Sequence, residues 1–472
     1  MHSTPTRKMS RVRRQEKRRR RQMPVLLVSA MFSAAGLSLA ALPPTQAQGT
    51  PATDRNVKAQ AFSNTFGANV HLGEGSYQNT QAIADALNII GFSRIRIKCT
   101  DAADVAAAKD VAAKAAPYFP NGLKANVIVI GYLNAPDDTL VSQKKAIPQL
   151  ASIIETIEGP NEINNYSTGN GTHGPFDLTD QTKNFGTNYA AWSKALFAWK
   201  KSNPTLAQAK LMAPDIASGD PDDYTKLPNI SPYVDSGNFH FYAGNGRQPS
   251  NFGGGNFSAI YNWYKSAASP TKPISVSEWG QTTAVRPGQG GCDTQTQAKY
   301  ILNQMFDMTS RGVYRAYLYQ LMDDTDGDPN GTEGTEAHFG IFDYQWKVKP
   351  AAQALANVKN LLADKPAVFT ARVPNYRVSG VTNAGAAGSS LSISKSDGST
   401  FIVVWNEPQI WDQKAFVAVT PPDNIVTIEF GGNYTYKVYD PLVGLGATAA
   451  GSSTTVRVNV IGSPIMIQVF PH

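Results

Sequence analysis

The sequence predicts an α/β chain, a (β/α)8 TIM barrel followed by a small all-β sandwich domain. Three observations predict it. Between residues 61 and 365, short apolar runs alternate with helix-length amphipathic segments through eight units. No Gly-rich turn follows the first strand, which sets an open doubly wound sheet aside. At Lys365-Pro366 the pattern changes, and residues 366–472 carry short alternating runs separated by Gly, Asn, Asp and Ser, the habit of a sandwich.

The first barrel strand is expected at 66–72, ending at His71, with an amphipathic helix at 82–90. The second, 93–99, alternates Ile with Arg and Lys, and an Ala-rich helix follows at 102–115. The third strand, 125–132, leads to a helix at 144–150, and the fourth, 153–158, to a Gly-, Asn- and Thr-rich loop and a helix at 189–201. Strand five, 210–215, has a weak helix signal after it. Strands at 237–242, 274–279 and 313–323 pair with helices at 258–266, 295–311 and 351–362. Sandwich strands are expected at 390–394, 401–405, 415–419, 425–430, 434–439, 454–460 and 465–470.

Residues 1–47 read as a secretory signal peptide. A charged stretch through Arg21 precedes the apolar run 25–42, and Thr45-Gln46-Ala47 offers a cleavage site. The run approaches membrane-spanning length, so an uncleaved anchor is the alternative; its Ala, Ser and Gly content favours cleavage, with no stable membrane insertion afterwards. The expected location is secreted or periplasmic, and residues 48–60 read as a linker. The formal charge of +7 belongs to the leader: it holds ten Lys/Arg and one acid, leaving 33 basic against 35 acidic residues. Nucleic acid is therefore not an expected partner. Cys99 closes the second strand and Cys292 follows the seventh; the two either pair or stay separate thiols. Without clustered histidines they make no zinc site.

The chemistry is concentrated at two strand ends. The apolar run that starts at Ile153 ends abruptly in Gly159-Pro160 and presents Asn161-Glu162, and the strand from Ile274 delivers Glu278-Trp279 before Gly280. In a barrel, the carboxyl ends of all strands share one face. Two glutamates there suit a retaining glycosidase, in which one carboxyl protonates the leaving oxygen and the other attacks the anomeric carbon.

In order and spacing these motifs resemble glycoside hydrolase clan A, and are similar to families 5 and 39. The resemblance rests on Asn161-Glu162, Glu278, His240-Phe241-Tyr242 after strand six, Arg96 on strand two, and the stretch His338 to Asp343 with Trp346 and Lys349-Pro350-Ala351. It covers most of residues 60–365. It implies that Glu162 is the acid/base, Glu278 the nucleophile, Arg96 and Tyr242 its braces, Asn161 a partner of the sugar 2-hydroxyl, and His240 a cleft residue. Trp279 is the first candidate for an aromatic sugar platform. Tyr319 stands where many clan members place a Trp, and His71 is a weaker candidate. Purely structural duties stay open for Arg96 as an inward ion pair, for His240 and Tyr242 as satisfied core residues, and for Trp279 as packing.

The expected partner is thus a carbohydrate substrate, with no required cofactor. Calcium is a candidate at the acidic loop 323–333, through Asp326, Asp328 and Asn330, though Ala337 stands where an EF-hand has Glu. Three alternatives remain: a transglycosylase using the same glutamates, a non-catalytic carbohydrate-binding protein on the same barrel, and a surface protein attached through the sandwich.

Overall fold

The computed structural model describes residues 55–129, 137–164, 185–244, 246–251, 256–286, 290–327, 334–365, 368–381 and 390–471. The expected signal peptide lies outside the described residues.

Eight parallel strands form the barrel: β2 (Phe66–Asn69), β3 (Arg94–Lys98), β4 (Lys124–Ile128), β5 (Ile154–Glu158), β6 (Lys210–Met212), β7 (Gly237–Phe241), β8 (Ile274–Trp279) and β9 (Ala316–Leu318). They pair in the order β6-β5-β4-β3-β2-β9-β8-β7. A single parallel bridge, Met212 to Ser236, draws β6 and β7 together and nearly closes the ring. The helices are α1 (Ala59–Ser63), α2 (Thr80–Ile90), α3 (Ala102–Ala115), α4 (Asp137–Ala146), α5 (Phe185–Lys201), α6 (Pro221–Thr225), α7 (Phe257–Ala267), α8 (Thr294–Arg311) and α9 (Pro350–Leu361). Their ends are coded locally. Asn79, Asp101, Asp220, Asn256 and Asp293 each cap a helix by accepting from a first-turn N–H, and Gly91 and Gly312 end α2 and α8 in the left-handed region.

The barrel interior is unusually polar. On β3, Ile95 and Ile97 join the apolar core, while Arg94 and Arg96 engage carboxylates of β5. At the amino-terminal end, Glu155 accepts paired hydrogen bonds from Arg94 (2.8 and 3.0 Å) and from Arg315 (2.9 and 2.7 Å). Burial alone would raise its pKa; the two guanidinium groups outweigh that and hold it down to about 2. Because the folded value lies below the unfolded one (roughly 4.3), this stabilisation is present above pH ~4.3 and fades as pH falls toward 2, by on the order of 3 kcal/mol. Urea titrations between pH 2 and 5 should show wild type losing stability in that window more steeply than Glu155→Gln. Parallel curves would sink the assignment.

The second region contains β10 (Tyr376–Ser379), β11 (Ser390–Ser394), β12 (Thr400–Val404), β13 (Trp411–Asp412), β14 (Val417–Ala418), β15 (Ile425–Tyr439), β16 (Ala449–Asn459) and β17 (Ile465–Val469). All but the β13–β14 hairpin belong to one hydrogen-bonded sheet. The two strands expected at 425–430 and 434–439 are a single strand, β15, with a register break between Glu429 and Tyr434. Its first half pairs with β10 and its second with β17, so one strand serves two neighbours. Strand β12 explains its unbroken apolar run by burial on both faces: Phe401, Val403 and Trp405 pack with the barrel core, Ile402 and Val404 with a separate core inside the sheet region.

One expectation is corrected here. Within the supposed linker 48–60, Asn56–Lys58 forms a strand, β1, pairing parallel to β11. The edge of β11 offers unpaired backbone groups, and this segment satisfies them. Cys99 and Cys292 are both buried free thiols.

Candidate active site

The turn after β5 is built against the chain after β6. Gly159 is required, since a Cβ there would lie 2.6 Å from the Pro214 ring. Glu162 has φ of 45°, a left-handed conformation that costs a non-glycine residue on the order of 1 kcal/mol. Its backbone N–H donates to Asp215 Oδ1 at 2.7 Å, Ile163 N–H to the Asp215 carbonyl at 3.1 Å, and Asn164 exchanges side-chain bonds with Ala217. These contacts hold the turn and aim Glu162 into the cleft.

On the opposite wall, register breaks between Phe239 and His240 and between Val276 and Trp279 place His240 directly beside Glu278. The break turns consecutive residues inward: Ser277 Oγ lies 3.0 Å from His240 Nε2, and Glu278 meets Arg96 and Tyr242. Gly280 then admits the neighbouring backbone, because a Cβ there would stand 2.1 Å from the Tyr319 carbonyl oxygen.

Arg96 is the hub, with all five N–H bonds donated. They go to Glu158 (2.9 and 2.8 Å), Asn69 Oδ1 (2.8 Å), Asn161 Oδ1 (2.7 Å) and Glu278 (2.5 Å). Glu158 is wholly buried and also accepts from Asn126 and Asn238. Burial would raise its pKa, but Arg96 holds it below the usual range. The Tyr242 hydroxyl donates to the other Glu278 oxygen at 2.8 Å.

His240 Nδ1 lies 3.0 Å from Glu162 and 3.4 Å from Glu278, while Nε2 lies 3.0 Å from Asp215. Burial opposes its charge, yet Asp215, Glu278 and the bonds to Asp215 and Glu162 raise its pKa well above the ordinary value. Burial pushes Asp215 up to about 7. This buried pair therefore retains a proton at neutral pH. Glu336 reaches solvent at the mouth, but crowding by protein, then Glu278 and Glu162, push it up to about 7.

The structure thus gathers Glu162, Glu278, Asn161, Arg96, His240 and Tyr242 into one cleft. His71 joins them at the rim, its ring 5.6 Å from that of Tyr319 and its Nδ1 3.7 Å from Asp324; desolvation and then Lys98 lower its pKa. Tyr319 is partly open and meets Phe339 and Tyr242 edge-on. Trp279 is a correction. It is fully buried against Phe66, because the residue after Glu278 on the strand points the other way, into the core. Tyr319 offers an accessible ring instead.

Glu158, Asp215, Asn69, Asn126, Asn238 and Ser277 were missed from sequence. Two carried a usable signal: Glu158 is a charge inside an apolar run, and Asp215 is polar at a strand's carboxyl end. Among the described residues, two trios place ligand atoms within 4.8 Å of one another, Glu158/Asp215/His240 and Glu162/His240/Glu278. In both, the Arg96 guanidinium already supplies positive charge. Of the calcium candidates, Asp328 and Asn330 lie outside the described residues, and both Asp326 oxygens accept from Gln345 at 3.1 Å.

No protein-family profile and no curated sequence matches the chain. Solved structures do. A family 39 glycoside hydrolase from Bacteroides cellulosilyticus WH2 is 15% identical over 87% of this chain and 82% of its own, with a TM-score of 0.53. A monomeric β-xylosidase from Caulobacter crescentus CB15 is 13% identical over 90% and 98%, with a TM-score of 0.53. A family 39 enzyme from Xanthomonas axonopodis pv. citri is 13% identical over 89% and 96%, with a TM-score of 0.51. What the chain shares with them at such identities is the fold, an eight-stranded α/β barrel carrying a second β region.

Proposed function

We propose that this chain is an exported retaining glycoside hydrolase acting on a β-linked poly- or oligosaccharide, with Glu162 as acid/base and Glu278 as nucleophile. One observation carries the reading: a Glu162 oxygen and a Glu278 oxygen lie within 4.8 Å of each other, both facing His240 Nδ1. Retaining enzymes hold their carboxyls about 5–5.5 Å apart, whereas inverting ones need about 6.5–9.5 Å for a water. The barrel shared with a β-xylosidase supports the same class.

The surroundings differ as the chemistry asks. Arg96 and Tyr242 orient Glu278 and stabilise its anion, while the Glu162 side chain is more open, 27% against 12% exposed. During double displacement the negative charge moves from Glu278 to Glu162, and a proton on His240 Nδ1 serves whichever carries it. Asn161 gives its oxygen to Arg96, which leaves its amide N–H2 for the sugar 2-hydroxyl. The reaction requires no cofactor. Export rests on the leader at 1–47.

The test uses aryl β-glycosides and β-linked polysaccharides. With Glu162→Ala, polysaccharide hydrolysis should fall by about 10²–10⁴-fold, while activated aryl glycosides, whose departure needs no acid, should still release a burst. Azide should then speed turnover and yield a β-glycosyl azide. Unchanged polysaccharide hydrolysis would remove Glu162 from the role, and sugar binding without turnover in wild type would favour a binding protein.

A further inference from the structure

We propose that the junction between helix α8 and the second sheet holds a hard divalent cation, of the calcium class, ligated by Asp307, Asn303 and Glu407. This site shares no residue with the catalytic cleft and does not depend on the function proposed above.

Asp307 is 1% exposed, and neither of its carboxylate oxygens has a hydrogen-bond partner. Asn303 lies one turn earlier on the same face of α8 and is wholly buried. Its amide nitrogen donates to Gln248 Oε1 (2.9 Å), the Gly462 carbonyl (3.0 Å) and the Asn406 carbonyl (3.4 Å). Two of these acceptors are main-chain carbonyls, which fixes the orientation of the amide and leaves Oδ1 as a second buried oxygen without a partner. Across the junction Glu407 is 4% exposed; one of its oxygens accepts the Ser250 N–H at 2.7 Å, and the buried Ser250 hydroxyl stands beside it. The Phe306–Trp405 ring contact at 6.1 Å holds these elements together.

Two carboxylates buried at one junction are strongly unfavourable unless positive charge or a proton sits with them. The surroundings favour the cation, because neither Asp307 oxygen nor Asn303 Oδ1 meets a hydrogen-bond donor. Burial and then Glu407 push the Asp307 carboxyl well up, and Arg311, one turn on, only partly opposes this. What the site offers is oxygen: two carboxylates, the Asn303 amide oxygen and the Ser250 hydroxyl. Hard cations take such sets, six to eight ligands for calcium. Bound there, the ion would join the barrel to the sheet.

The test is metal content and melting temperature of the full chain. Protein purified without chelator should contain about one equivalent of calcium. Protein stripped with EDTA should melt lower, and 1 mM CaCl2 should raise the transition by roughly 3–5 °C, a response that Asp307→Asn abolishes. Identical melting with EDTA and calcium, with no stoichiometric metal, would overturn the proposal. So would a calcium response that survives in Asp307→Asn, because the ion would then lie elsewhere, for instance at Asp326.

Discussion

Glu278→Ala should release no sugar from any polysaccharide that the wild type cleaves, a loss on the order of 10⁴- to 10⁶-fold. On the proposed mechanism no glycosyl-enzyme forms without that carboxylate, and Glu162 acting alone would have nothing to drive the anomeric carbon forward. The fold should survive. Arg96 loses one of its acceptors but keeps Glu158, Asn69 and Asn161, so the barrel's upper network stays charged and bonded. Azide entering the vacated face should restore turnover of an activated β-glycoside in a single displacement and yield the α-glycosyl azide. That product distinguishes a lost nucleophile from a lost acid, since Glu162→Ala gives the β anomer. Mass spectrometry of digests and the anomeric proton signal of the azide product decide it. Equal products from wild type and variant would remove Glu278 from the mechanism.

Arg96→Lys should be the most damaging conservative change in the chain. The guanidinium fork meets Glu158 in a paired bond and reaches Asn69, Asn161 and Glu278 with its other N–H groups. A lysine offers three donors from a single point and cannot span that set. Glu158, with no exposure at all, would lose its paired cation, and breaking a buried pair costs about 3–5 kcal/mol. Asn161 and Glu278 would lose their common anchor, and misplacement of about 1 Å costs about 10²-fold in rate. Chemical denaturation should therefore show the stability loss, and kcat should fall while KM moves less. A variant as stable and as active as wild type would show that Arg96 is a passive filler.

Both results turn on residues with very different visibility in the sequence. Glu162 and Glu278 were legible because each ends an apolar run at a chain break, Gly-Pro-Asn before one and Trp-Gly after the other. Arg96 was legible through the family resemblance, and the Ile/Arg alternation of its strand agrees, since it must turn one set of side chains inward. Asn69, Asn126, Asn238 and Ser277 had no such signal. Each is a short polar residue in an ordinary strand, and its importance comes from partners 25 to 249 positions away, such as Asn238 with the Ala213 carbonyl and Asn69 with the Leu318 carbonyl. Trp279 misled for a related reason. Aromatic character says that a ring will be buried or will stack, and the strand's alternation decides which.

Local chemistry in the sequence determined the element order, the helix caps, the eight-unit repeat and the change to β structure at Lys365-Pro366, because periodicity and capping act over a few residues. Tertiary structure alone decided three things. It recruited Asn56–Lys58 to an edge of the far sheet, satisfying backbone groups that no local signal announces. It ran two expected strands into one bent strand, β15. And it buried Arg96, Glu158, Asp215, His240 and Glu278 against one another, where low dielectric makes each charge depend on all its neighbours. Those contacts are a property of that three-dimensional cluster, which the linear chain does not contain.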